Sequence, residues 1–268
     1  MINDVVYDEK NQLTLDIYEP ETIDAAIILI HGGGWFRGDK AKEQALAERL
    51  TTDGFLVVAP NYRLAPDHLF PAAMEDLLTV YDWLVASDYP VKDKITALGS
   101  SAGGNLAIEL ALQKGIPAAS WSGIIDLYPW VQEHPEVIAA MNQKPDFDKQ
   151  ASGKIDQDGV NDAFYKWFIL NYVNQDMDLL EQADPLQRVS SKSGPIFIAN
   201  SLHELVPLSG VYHLQAALAE AGVPSENKLI TGTVHGEGYA DIAYQPTLQF
   251  LKSNLSERLS RTRSALEQ

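Results

Sequence analysis

Residues 95–105 read Ile95-Thr96-Ala97-Leu98-Gly99-Ser100-Ser101-Ala102-Gly103-Gly104-Asn105. An apolar run, 95–98, enters a Gly-x-Ser-x-Gly pentapeptide at 99–103, and a helical pattern over 105–114 leaves it. A strand that passes straight into a helix through so tight a turn holds its central residue, Ser101, strained and exposed. Gly99 and Gly103 are needed because a Cβ at either would collide as the chain doubles back. The expected result is a serine hydroxyl at the C-terminal edge of a sheet.

Working outward, the same grammar repeats. Residues 13–18 alternate, with Leu13, Leu15 and Ile17 opposite Thr14, Asp16 and Tyr18, which predicts a half-buried antiparallel edge strand. The continuous apolar run 25–30 suits a strand covered on both faces. A helix is predicted over 40–53, a strand over 55–59, and a helix over 71–87 with Pro71 in its first turn. Downstream come strands over 118–127 and 196–199, a helix over 208–221, a strand over 227–230, and a final helix near 240–255. Short apolar strands alternating with amphipathic helices predict an α/β fold, mostly parallel, with helices on both faces. Residues 130–185 break the rhythm. They are polar and carry the cluster Phe164-Tyr165-Lys166-Trp167-Phe168. One domain spanning 1–268 is expected, with 130–185 inserted as a helical cap over the edge where open α/β sheets bind ligands.

Composition narrows the partners. The chain has 268 residues, 46% of them hydrophobic, and no cysteine, which excludes disulfides and thiolate metal sites. No stretch approaches the roughly 20 apolar residues of a membrane span. The acidic start, Met1-Ile2-Asn3-Asp4, has no basic segment followed by an apolar one, so no signal peptide and a cytoplasmic location are expected. The net charge of −17 argues against nucleic acid and anionic membranes as partners, since both are polyanions.

A serine hydroxyl needs a base within reach and donors for a developing oxyanion. His31 opens His31-Gly32-Gly33-Gly34-Trp35 directly after an apolar strand, and three glycines leave backbone N–H groups unshielded. No G-x-G-x-x-G or G-x-x-x-x-G-K-[ST] phosphate loop occurs. His235 lies between Val234 and Gly236, on a loop after the last predicted strand, where it is free to swing. His68 and His134 sit beside proline or acidic residues and are expected in solvent; His213 lies on a helix, at its surface or packed. His203-Glu204 continues Leu205-Val206-Pro207, so H-E-x-x-H fails, and neither a metal site nor a cofactor is expected.

Three blocks together resemble the hormone-sensitive-lipase-type esterases and small bacterial carboxylesterases of the α/β-hydrolase superfamily. They are His31-Gly32-Gly33-Gly34-Trp35, Asn61-Tyr62-Arg63-Leu64-Ala65-Pro66 with Phe70-Pro71-Ala72-Ala73 and Glu75-Asp76, and the elbow Gly99-Ser100-Ser101-Ala102-Gly103-Gly104-Asn105. The likeness is close over 25–115, holds in pattern over 195–251, and is absent from 130–185. It implies Ser101 as nucleophile and His235 as base. It implies an oxyanion hole of the Gly33, Gly34 and Ala102 N–H groups, with His31 and Gly32 ordering the glycine turn. The family's usual aspartate is missing from Asn200-Ser201-Leu202-His203-Glu204-Leu205-Val206-Pro207. Glu204 is the favoured acid and Asp126 the alternative, ahead of Asp184 and Asp241. The implied activity is hydrolysis of small-molecule short-chain acyl esters, with a homodimer by analogy. A deacetylase of acetylated sugars, an arylformamidase-like amidase, and a non-catalytic binding protein on a hydrolase scaffold are the alternatives.

Overall fold

Every residue of the strand Ala25–Ile30 is buried, and its two faces explain why. Ala26, Ile28 and Ile30 enter one apolar cluster, while Ala25, Ile27 and Leu29 enter another on the opposite face. A strand covered on both sides can be apolar at every position, so the run shows no alternation. The computed structural model describes residues 1–141 and 149–266, with side chains to residue 256. Part of the polar stretch of the insertion, 142–148, and the side chains of Arg258, Arg261 and Arg263 in the tail lie outside the described residues.

The strands are β1 (Ile2–Asp8), β2 (Leu13–Tyr18), β3 (Ala25–Ile30), β4 (Phe55–Pro60), β5 (Ile95–Ser100), β6 (Ala118–Trp121), β7 (Ile196–Ser201) and β8 (Ser225–Ile230). They form one sheet in the order β1-β2-β4-β3-β5-β6-β7-β8. From β4 to β8 all neighbours are parallel. Only β1 and β2, at one end, are antiparallel. The helices are α1 (Gln44–Thr52), α2 (Ala72–Ala86), α3 (Ala102–Lys114), α4 (Tyr128–Glu133), α5 (Asp162–Tyr172), α6 (Met177–Ala183), α7 (Ser209–Glu220) and α8 (Ala240–Leu266). One face of the sheet is covered by α1 and α8, through Leu46, Leu50, Tyr244 and Leu251. The other is covered by α2, α3 and α7, through Leu77, Leu106, Leu110, Leu214 and Leu218. This is the mostly parallel α/β sheet, clad on both faces, that the alternation predicts. Among the described residues no helix is long and apolar enough to cross a membrane.

Four local expectations are corrected. The strand 13–18 is not an edge, because β1 pairs outside it. Nor is its polar face in water: Asp16 is buried, its carboxylate 2.6 Å from the Lys40 ammonium. A buried ion pair hides a charge that alternation reads as solvated. The predicted helix 40–53 begins as a 3-10 turn, Lys40–Glu43, capped by Asp39, before α1 starts. The predicted strand 118–127 ends at Trp121, because Ser122 takes φ +52° and turns the chain out of the sheet. The final helix continues past 255 to Leu266.

The insertion packs onto the glycine loop through aromatic rings. Trp35 stacks on Tyr172 of α5 at 4.2 Å, and Phe36 meets Trp167 edge-on at 5.0 Å. The aromatic cluster of 164–168 therefore faces the C-terminal edge of the sheet, beside Ser101.

Candidate active site

At the end of β5 the backbone of Ser101 sits at φ +56°, ψ −122°, a left-handed conformation that side chains rarely adopt. The glycines around it are sterically obligatory. A Cβ on Gly99 would lie 2.2 Å from the Gly103 carbonyl oxygen, and one on Gly103 would lie 2.1 Å from that of Ile30. The elbow is pinned across the sheet, since Ser101 N–H donates to the Trp121 carbonyl at 2.8 Å. Ser101 opens α3 and lines a pocket with Gly32, Gly33, Gly34 and His235. Phe36, Phe164, Phe168 and Leu205 supply its apolar wall.

The glycine loop is equally constrained. Gly33 has φ +124° and Gly34 φ +60°, and a Cβ on Gly33 would lie 1.9 Å from the Arg37 carbonyl oxygen. The Phe36 and Arg37 N–H groups both donate to the Gly33 carbonyl at 3.2 Å, closing the turn. His31 is fully buried, and burial lowers its pKa, so its ring is neutral. Its Nδ1 donates to the Gly32 carbonyl at 2.8 Å, and its ring stacks on Tyr62 at 4.2 Å. The Tyr62 hydroxyl donates to the His31 carbonyl at 2.9 Å. Asn61 ties the loop's far end, accepting from Lys40 N–H at 2.7 Å and donating to Asp39 at 2.9 Å. Arg63 reaches the buried Asp76 at 2.7 Å. The 61–76 block thus supports the glycine loop from beneath.

His235 and Glu204 meet. Both are buried, and His235 Nδ1 lies 2.5 Å from Glu204 Oε2. The other carboxylate oxygen, Oε1, accepts from Ser122 Oγ at 2.8 Å and from Ser201 N–H at 2.7 Å. A buried carboxylate needs such partners. Ser122 also accepts from Gly236 N–H at 2.7 Å, so one hydroxyl links the acid to the loop that carries the histidine. Its oxygen lies 2.7 Å from the hydroxyl of Tyr239, which burial holds protonated and which donates to the Ala199 carbonyl at 2.7 Å. Nothing local in the sequence marks Ser122 or Tyr239, because their contacts cross 82 and 117 positions. The break in β6 at Ser122 is what aims its hydroxyl.

The other named acids lie elsewhere. Asp126 is buried with Oδ2 3.3 Å from His213 Nδ1, on α7, whereas the carboxylate that bonds His235 Nδ1 is Glu204. Asp184 caps the turn Pro185–Arg188, and the exposed Asp241 pairs with Arg49. His68 is exposed, as its neighbours imply. His134 is not: its ring stacks on Trp130 at 4.3 Å and its Nδ1 bonds the Trp130 carbonyl at 2.8 Å. No cluster of three metal-ligating residues occurs among the described residues.

Burial, assisted by the neighbouring Asp126 charge, pushes Asp184 up to about 6 against three N–H donors that favour its ionised form. A carboxyl raised on folding contributes stability below its unfolded pKa and loses it as pH rises through the folded value. Wild type should therefore lose roughly 2–3 kcal/mol relative to Asp184→Asn between pH 4 and 7. Parallel unfolding curves at the two pH values check this, and an unchanged difference refutes it.

An elbow serine, a glycine loop and a histidine backed by a buried carboxylate line one pocket on a mostly parallel sheet; that set defines an α/β hydrolase. A family profile described as the α/β-hydrolase fold matches residues 27–238. The chain belongs to this family, in its hormone-sensitive-lipase-like branch. It is 29% identical over 229 residues to an ethyl acetate hydrolase of Pseudomonas putida, covering 81% of this chain and 67% of that one. It is 30% identical over 225 residues to a versiconal hemiacetal acetate esterase of Dothistroma septosporum, covering 76% and 64%. The chain thus spans about two thirds of the length of those two relatives. In fold it is similar to esterase 2 of Thermogutta terrifontis phosphonylated by sarin, with TM-score 0.68, 20% identity, and coverage of 95% and 94%.

Proposed function

We propose that the protein is a serine carboxylesterase acting on short-chain acyl esters through Ser101, His235 and Glu204. The observation that carries this reading is the buried His235–Glu204 contact, on a loop that lines the same pocket as Ser101. Glu204, bound to Nδ1, keeps the proton on that nitrogen and leaves Nε2 to accept the Ser101 proton. Ser101 Oγ attacks the ester carbonyl, and the carbonyl oxygen becomes an oxyanion. The N–H groups of Gly33, Gly34 and Ala102 receive that charge. His235 returns its proton to the leaving alkoxide, an acyl-enzyme remains, and water, activated by the same imidazole, releases the acid.

The apolar wall of Phe36, Phe164 and Phe168 supports a small acyl group as the occupant. The names of both sequence relatives, which refer to acetate esters, support the same class. The test is hydrolysis of p-nitrophenyl acetate, butanoate and octanoate, with fluorophosphonate labelling alongside. Acetate and butanoate should be preferred and Ser101 labelled. An unlabelled, inert protein would sink the reading in favour of a binding protein. The pocket lining also includes Ser152, Asp156 and Glu237, which favours an alcohol bearing hydroxyls as a second reading, tested with acetylated sugars.

Gly33→Ala should lower kcat by roughly 10²–10³-fold, the effect of losing one oxyanion donor. The new Cβ would have to displace the Arg37 carbonyl, and the loop would move with it. A variant with wild-type kcat on p-nitrophenyl acetate would remove Gly33 from the oxyanion hole.

A further inference from the structure

Within its own loop the His235 carbonyl accepts from the Gly238 N–H at 3.0 Å. The side chain of Gln157, from the insertion, holds the His235 backbone on both sides. The His235 N–H donates to Gln157 Oε1 at 2.9 Å, and Gln157 Nε2 donates to the His235 carbonyl at 2.9 Å. The pairing fixes which way the amide points, since a backbone N–H requires the oxygen and a backbone carbonyl requires the nitrogen. Gln157 is itself anchored, its Nε2 also meeting the Ile155 carbonyl. The loop is shaped to receive it. A Cβ on Gly238 would lie 2.4 Å from Gln157 Oε1, so a glycine there leaves room for the amide. Two further contacts tie the same segment down. Ser152 Oγ donates to Glu43, at the end of the turn that follows the glycine loop, at 2.5 Å. Thr233 Oγ1, on the loop before His235, donates to the Gln157 carbonyl at 3.4 Å. Residues 152–159 therefore run as a strap from the oxyanion side of the pocket to the histidine side.

We propose that Gln157 is a positioning residue for the esterase reaction, holding the His235 backbone so that its ring stays on Glu204 and faces Ser101. This rests on the Ser101–His235–Glu204 reading above. The histidine loop follows β8, an edge strand whose residues 226–229 are exposed, so the strand gives the loop little support of its own. Without Gln157, His235 Nδ1 leaves the carboxylate part of the time. Both the competent fraction and the stabilisation of the imidazolium then fall.

The experiment is a double-mutant cycle on full-length protein with p-nitrophenyl acetate, using Gln157→Ala, Glu204→Gln and the pair. Gln157→Ala should lower kcat by 10-fold or more with KM within about twofold, and should shift the acidic limb of the kcat/KM profile to lower pH. Added to Glu204→Gln it should cost little more, because both changes act on the same imidazole. Gln157→Glu keeps the acceptor for the His235 N–H but loses the donor, and should fall between wild type and Gln157→Ala. Fluorophosphonate titration counts intact sites, so a folding loss does not pass for a kinetic one. The proposal is overturned if kcat per labelled site is unchanged in Gln157→Ala, if the two losses multiply fully, or if kcat falls with the acidic limb unmoved. A Ser101→Ala control that matched wild type would bring down the triad reading, and this inference with it; the other outcomes bring down this inference alone.

Discussion

Ser101→Ala is expected to lower kcat on p-nitrophenyl acetate by roughly 10⁴–10⁶-fold, the loss seen when a triad nucleophile is removed. The size follows from the mechanism. Without Oγ there is no covalent intermediate, and only binding and the oxyanion donors remain to assist water. The fold should survive, because alanine meets the same backbone demand at φ +56° as the serine it replaces. A circular dichroism spectrum and melting curve matching wild type would therefore accompany the loss. Fluorophosphonate labelling should vanish in the same variant. Activity retained within tenfold would end the mechanism, whatever the fold similarity.

Glu204→Gln carries the second largest expectation, a fall in kcat of roughly 10²–10⁴-fold. Glutamine keeps an oxygen for the Ser122 hydroxyl and the Ser201 N–H, which bond Oε1. It therefore fits the site. What changes is the atom facing His235 Nδ1, now an N–H donor where Oε2 accepted. The imidazole must then carry its proton on Nε2, the wrong tautomer for taking a proton from Ser101. Asp126→Asn is the comparison, with kcat expected within about threefold of wild type, because Asp126 faces His213. Equal losses in the two variants, or a loss in Asp126→Asn alone, would return the choice of acid to Asp126.

The legible parts of the chain were those set by neighbours in sequence. The both-faces-buried run Ala25–Ile30, the glycines at 99 and 103, and the three glycines after His31 each announce a local steric requirement. What the sequence concealed were groups whose environment is supplied from far away. Asp16 looks solvated until Lys40 arrives beside it, and His134 looks exposed until Trp130 stacks on it. Gln157 stands in a polar stretch with no motif, and its meaning comes from a loop 78 positions on.

The acid shows the division most plainly. The sequence offers Glu204, from the segment after β7, and Asp126, from the segment after β6, as rival acids. The contact of Glu204 with His235 depends on where β7 and the loop after β8 end relative to each other. Sequence by itself determined the α/β sheet, the elbow at Ser101 and the glycine loop, because periodicity and steric exclusion act between near neighbours. Tertiary structure alone decided which carboxylate reaches the histidine and what supports that contact, because strand register and the path of the insertion set those distances.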